Sequence, residues 1–266
     1  LQQEEQTMRL VVKVGTSSLT HKTGLLNIRK VQKLCVTLSD IQNAGHQVIL
    51  VSSGAIGMGV GKLHLDRKPT DMATKQAAAA VGQCELMYVY DKLFGEYNHT
   101  VAQILLTGND VDNEIHRENI RSTISRLLEL GVIPIINEND SVATAEIDEI
   151  NALGDNDTLA AIVSVCIGAD LLVLMSDIDG LYTEDPRKNP DAKLIHEVEN
   201  LTEEMMESAG GAGSSQGTGG MRTKLKAAKL VCENGIDMVI TNGDTPENLY
   251  GIVDGDPIGT RFLKKK

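Results

Sequence analysis

Arg9-Leu10-Val11-Val12-Lys13-Val14-Gly15-Thr16-Ser17-Ser18 is a short apolar run that stops at a glycine and three hydroxyl side chains. A run of this length without alternation of polar and apolar positions predicts a strand buried on both faces. The same form recurs along the chain. Gln47-Val48-Ile49-Leu50-Val51 leads into Ser52-Ser53-Gly54-Ala55, and Val132-Ile133-Pro134-Ile135-Ile136 into Asn137-Glu138-Asn139-Asp140. Leu171-Leu172-Val173-Leu174-Met175 leads into Ser176-Asp177, Asp237-Met238-Val239-Ile240 into Asn242-Gly243, and Val101 to Leu106 makes a further strand. Helical patterns fall between them. One begins after Asn27 as cap, places Ile28, Val31, Leu34, Cys35, Leu38 and Ile41 on one face, and ends at Gly45. Others cover Ala73 to Phe94, Glu114 to Leu130, Asp157 to Ile167, and Gly220 to about Glu233.

Strands alternating with helices, the strands apolar on both faces, predict an α/β fold. Its core is a mainly parallel central sheet with helices on both faces, an α/β/α sandwich. A single domain over 8–263 accounts for every pattern, and the polar residues Leu1 to Thr7 are expected to be an added leader ahead of a natural start at Met8. Sheets of this kind bind ligands beyond the carboxyl ends of their strands. Gly15-Thr16, Ser52-Ser53-Gly54, Asn137 to Asp140 and Ser176-Asp177 all fall there.

Composition narrows the function classes. The formal net charge is −12 and the only run of basic residues is Lys264-Lys265-Lys266, which argues against a nucleic-acid partner. No apolar stretch reaches the length of a membrane span and no signal-peptide pattern precedes Met8, so a cytoplasmic protein without a membrane partner is expected. Cys35, Cys84, Cys166 and Cys232 are widely spaced, and no His or Cys pair has metal-ligand spacing, so no protein-bound metal is expected.

Four segments are candidates for chemistry. Gly217-Thr218-Gly219-Gly220-Met221-Arg222-Thr223-Lys224 brings three glycines to a helix start and a lysine one turn inside it. Backbone N–H groups and the helix end can cradle an anion there, and the lysine can meet a phosphate. A flexible loop before a helix is the alternative, and the spacing is not that of a Walker A loop. Gly57-Met58-Gly59-Val60-Gly61-Lys62 imitates a phosphate loop, but Ile56 and Lys62 stand where glycines are required, so it reads as a packing segment. Lys13 interrupts an apolar strand two residues before the Gly-Thr-Ser-Ser loop; it either meets an anion or snorkels from an edge. Gly154-Asp155-Asn156-Asp157 carries more polar groups than a helix cap uses, and these can orient lysines, hold a nucleotide through water or grip an amino group. Asn137 to Asp140 is either a polar turn or an amine site, and Ser176-Asp177 alone is a turn.

Together these motifs resemble the amino acid kinase superfamily, and within it the branch that phosphorylates glutamate. The resemblance rests on Val12 to Thr16, Val51 to Ala55, Gln76 to Gln83, Ile136 to Asp140, Gly154 to Asp157, Ser176-Asp177 with Gly180-Leu181-Tyr182, Asp185-Pro186-Arg187, and Gly217 to Lys224. It implies the amino acid kinase fold and ATP-dependent phosphorylation of the γ-carboxylate of L-glutamate, on the route to proline. By matched position it implies that Lys13 and Lys224 stabilise the phosphoryl group and Asp157 orients them. Ser53, Gly54, Asp140 and Asn156 would hold glutamate. Ser176, Asp177, Thr218, Gly219, Gly220, Met221, Arg222, Thr223 and Lys224 would hold ATP, with Mg²⁺ carried mainly on its phosphates. It further implies ADP as product, proline as feedback inhibitor, a homo-oligomer (dimer or tetramer), and a form without the RNA-binding-like PUA domain. The alternatives are a sister kinase acting on acetylglutamate, aspartate or carbamate, and a non-catalytic amino-acid sensor on the same fold.

Overall fold

The computed structural model describes residues 7–21, 23, 25–142, 156–208 and 220–265. In chain order the elements are β1 (Arg9–Val14), α1 (Thr16–Leu19), α2 (Ile28–Asn43), β2 (Gln47–Ser52), α3 (Ala55–Lys62), α4 (Met72–Gly95), β3 (Val101–Leu106), α5 (Gly108–Asp112), α6 (Glu114–Glu129) and β4 (Ile133–Glu138). They continue with α7 (Asn156–Ile167), β5 (Leu171–Ser176), β6 (Leu181–Tyr182), β7 (Leu194–Ile195), β8 (Glu197–Val198), α8 (Glu203–Ser208), α9 (Met221–Glu233), β9 (Asp237–Asn242), α10 (Asn248–Asp254) and β10 (Thr260–Phe262). Asn27 caps α2 through its side chain, as its place in the sequence predicts, and Asp71 and Asn113 do the same for α4 and α6.

Eight strands make the main sheet in the order β3-β4-β2-β1-β5-β9-β10-β8. Its first six strands are parallel; β10 then runs antiparallel to β9, so the sheet is mainly parallel, as expected. The chain builds outward from β1 on one side and then crosses to β5 on the other, which makes the carboxyl end of β1 the switch point of the sheet. Pro134 lies within β4. Ile133 donates to Thr100 on the β3 side, so the N–H that proline lacks would face β2, where pairing begins only at Leu50–Ile135.

Pleating divides each strand between two cores. Leu10, Val12 and Val14 pack with Leu34, Leu38, Leu86, Tyr90 and Ile252, from α2, α4 and α10. Val11 packs with Ile124, Leu159, Val163, Leu225 and Val231, from α6, α7 and α9. Because side chains alternate, Lys13 shares the face of Val11 and points among α7 and α9.

The glycine-spaced segment 57–62 belongs to a helix, α3, where the sequence pattern predicts only a packing segment. Its glycines permit the contact that makes the helix worthwhile. A Cβ on Gly59 would stand 1.8 Å from the Ala78 carbonyl oxygen, and one on Gly82 would stand 1.7 Å from that of Ala55. Two backbones meet at a distance no larger residue allows, which locks α3 onto α4 directly beyond Gly54. Gly54 itself has φ of 106°, a left-handed turn that glycine adopts without strain.

Candidate functional site

Four of the parallel strands end together in polar residues, and α7 and α9 bring further groups to the same edge. Asp157 lies in the first turn of α7 and is fully buried. Its Oδ1 is 2.5 Å from Lys13 Nζ and its Oδ2 is 2.9 Å from Lys224 Nζ. Both lysines are buried, with residue exposures of 7% and 6%. In α9 the buried positions are Lys224, Leu225, Ala227, Ala228, Val231 and Cys232, so Lys224 occupies the inward stripe at helical spacing. One carboxylate thus holds two ammonium groups, one on each oxygen. Burial works to raise the Asp157 pKa, but the charges and hydrogen bonds of Lys13 and Lys224 outweigh it and hold the carboxyl below its usual range.

Asn156, the neighbouring residue on α7, serves the end of β2. Its Nδ2 donates to Ser53 Oγ at 2.7 Å and to Asn137 Oδ1 at 3.0 Å. Ser52 turns the other way and shares a hydrogen bond of 2.8 Å with the buried Tyr90 hydroxyl, which leaves Ser53 for the α7 side. Asp140 follows β4 and lines a cavity of about 430 Å³ with Ala55, Ala79, Gln83, Gln103 and Glu138. Burial pushes its carboxyl pKa up.

Across β1, Ser176 ends β5 and donates to Asp177 at 3.2 Å; Asp177 is exposed and pairs with Arg187 at 3.3 Å. Gly220 caps α9 and accepts from the Thr223 hydroxyl at 2.8 Å. Met221 and Thr223 are partly buried and Arg222 is exposed. The sequence candidates Gly154, Asp155, Gly217, Thr218 and Gly219 lie outside the described residues. Of the rest, the structure brings Lys13, Asp157 and Lys224 into one cluster and joins Ser53 to Asn156 beside it. Ser176 and Asp177 stand at the end of β5, next to β1 in the sheet. The Asp157 carboxylate is taken up by the two lysines, so capping does not account for it; Asp155, the other capping candidate, lies outside the described residues. Nor does the snorkelling alternative hold for Lys13, whose side chain is buried in a central strand.

One polar residue was not singled out for a role in the sequence: Gln83 on α4 is buried and accepts from Asn137 Nδ2 at 2.9 Å. Asn137, the first residue of the candidate segment 137–140, is buried near the end of β4 and in contact with Asn156. The available signal for Gln83 was a polar amide inside an Ala-rich helix.

A model of the amino acid kinase family matches residues 8–242. A glutamate 5-kinase of Clostridium perfringens (strain 13 / Type A) is 54% identical over 262 residues, covering 98% of this chain and 97% of its own. One from Listeria monocytogenes serovar 1/2a is 49% identical over 262 residues, covering 98% and 95%. Among solved structures, carbamate kinase from Giardia lamblia bound to AMP-PNP superposes with a TM-score of 0.67 at 16% identity, covering 98% of this chain and 100% of that one. UMP kinase from Bacillus anthracis gives 0.65 at 14%, covering 98% of each chain. At these identities the solved structures speak to the fold alone.

Proposed function

The chain belongs to the amino acid kinase family, and from that premise we propose that it transfers the γ-phosphoryl group of ATP to the γ-carboxylate of L-glutamate. The products are L-glutamyl 5-phosphate, the first intermediate towards proline, and ADP. The observation that carries the reading is the buried Lys13–Asp157–Lys224 cluster, together with relatives of the same length at about half identity that bear the name glutamate 5-kinase.

The chemistry suits the cluster. A carboxylate oxygen of glutamate forms a bond to the γ-phosphorus, and the bond from that phosphorus to the bridging oxygen breaks, its electron pair leaving with ADP. The nucleophile is already ionised at neutral pH, so no general base is required. Two anions must be brought into contact, and positioning and charge compensation carry most of the gain. Lys13, on β1, and Lys224, on α9, reach the space beyond Asp157 from different elements, so they can flank the transferring group. Asp157 fixes both in place ahead of the reaction, which is the preorganisation that makes such donors effective. An acidic protein can thus hold two anions through local charge.

In this reading Ser53, Gly54, Asn156 and Asp140 form the glutamate side, and Ser176, Asp177 and the segment 218–224 the ATP side. Mg²⁺ would be held through the nucleotide phosphates; among the described residues no three His, Cys, Asp or Glu side chains form a metal cluster, and Asp157 is committed to lysines. When bound, the ion would neutralise charge on the phosphate oxygens. The reading also includes proline as a feedback inhibitor, a homo-oligomer and a cytoplasmic location. No helix of the described residues is long and apolar enough to cross a membrane.

Asp140 is assigned to the ammonium group of glutamate. Replacing it with alanine is expected to raise the Michaelis constant for glutamate roughly tenfold to a hundredfold, the scale for losing a charged hydrogen bond. The constant for ATP stays where it is. A shift confined to the ATP constant in initial-rate measurements would remove Asp140 from this role.

A further inference from the structure

Four amide side chains form a line from the cavity to the Ser53–Asn156 pair. Gln83 Nε2 donates to Gln103 Oε1 at 3.1 Å, Asn137 Nδ2 to Gln83 Oε1 at 2.9 Å, and Asn156 Nδ2 to Asn137 Oδ1 at 3.0 Å. An amide turned end for end keeps its shape, so a chain of amides has two self-consistent directions. One contact removes the choice. The backbone N–H of Glu138 lies 2.9 Å from Asn137 Oδ1, and a backbone N–H can only donate. Asn137 must therefore present oxygen to Glu138 and to Asn156, and nitrogen to Gln83, which must answer with oxygen. Asn156 is left one orientation, with Nδ2 towards Asn137 and Ser53.

That orientation sets what a ligand meets. Ser53 Oγ accepts from Asn156, so the Ser53 proton is available to a ligand oxygen. Asn156 Oδ1 is buried and has no hydrogen-bond partner among the described residues, so it awaits a donor. Gln83 and Asp140 also line one cavity, which ties the amide line to the place assigned to the amino acid.

We propose that Gln83 and Asn137 are positioning residues that fix the amide of Asn156, so that the site offers one hydroxyl donor and one amide acceptor to a zwitterionic amino acid. The inference rests on the reading of Ser53 and Asn156 as the glutamate side. A carboxylate oxygen complements Ser53 and an ammonium group complements Asn156; a plain dicarboxylate supplies only the first. A flipped Asn156 would set its N–H groups against the ammonium, and specificity for an amino acid would fall with it.

The test uses the full chain. Gln83→Leu removes the acceptor for Asn137, and the glutamate Michaelis constant should rise about tenfold while that for ATP stays within about twofold. Gln83→Glu should restore most of the loss, because one carboxylate oxygen still accepts from Asn137. If Gln83→Leu fails to fold, Gln83→Met carries the same expectations. A second readout needs no substrate. The side-chain amide protons of Asn156, assigned by NMR with the help of Asn156→Asp, should exchange with solvent more slowly in the wild type and Gln83→Glu than in Gln83→Leu or Gln83→Met. An inactive wild-type chain would thus overturn the glutamate reading while the exchange rates still decide the amide line. The proposal is overturned if the ATP constant rises in step with that for glutamate, if Gln83→Glu is as impaired as the apolar variants, or if Asn156 exchanges equally fast in all of them.

Discussion

Lys224→Ala is expected to lower the turnover number about a hundred- to a thousandfold, the usual scale for removing one preorganised donor to a developing charge. The Michaelis constant for glutamate should hardly move, because Lys224 lies on α9 while the proposed glutamate side draws on the ends of β2 and β4 and the start of α7. Lys224→Arg should not restore the rate. The lysine side chain is only 8% exposed and its ammonium sits 2.9 Å from one oxygen of Asp157. A planar guanidinium is wider and carries its charge elsewhere. Steady-state kinetics with both substrates varied separates these outcomes. A variant that keeps wild-type turnover would take Lys224 out of the chemistry.

Asp157→Ala is expected to be the most destabilising single change at the site. It leaves two buried ammonium groups with no carboxylate between them, and breaking a buried ion pair from one side costs about 3–5 kcal/mol. The deficit has a pH signature. The ordinary value for the Asp157 carboxyl is 3.8, and in the folded chain Lys13 and Lys224 overcome the effect of burial and hold it lower. The unfolded state therefore binds the proton first as the medium is acidified. The stabilisation is complete above the ordinary value and is lost as the pH falls through the folded one. Urea unfolding of wild type and variant should show a gap that is level from neutral pH down to 3.8 and narrows below it. A gap that widened in acid would contradict the ion-pair account. Turnover should fall with stability, since neither lysine is then held in place.

The main sheet was legible in the sequence because each of its central strands is an apolar run closed by a polar or glycine-rich turn. Lys13 stood out for the same reason: an ammonium inside such a run needs a partner. Lys224 was legible from its place one turn inside the helix that follows a glycine-rich run, and Asp157 from the excess of polar groups at a helix start. Other features had no local signal. The strands β6, β7 and β8 have two residues each, and β10 has three. Their pairing is set by tertiary contact rather than by period. The helix α3 has three glycines among its eight residues, which local propensity counts against. It persists because Gly59 and Gly82 let it lie against α4. Gln83 and Asn137 are 54 residues apart and neither carries charge, so nothing in the sequence joins them. Only the folded chain shows that they line up with Asn156.

The central claim is that the carboxylate of free glutamate accepts the phosphoryl group. Acyl phosphates react with hydroxylamine to give hydroxamates, so the decisive measurement is hydroxamate formation by the wild-type chain with ATP and a panel of L-glutamate, N-acetyl-L-glutamate, L-aspartate and carbamate. The account predicts ATP-dependent product with L-glutamate and little with the other three. Turnover with N-acetyl-L-glutamate and none with free glutamate would contradict it.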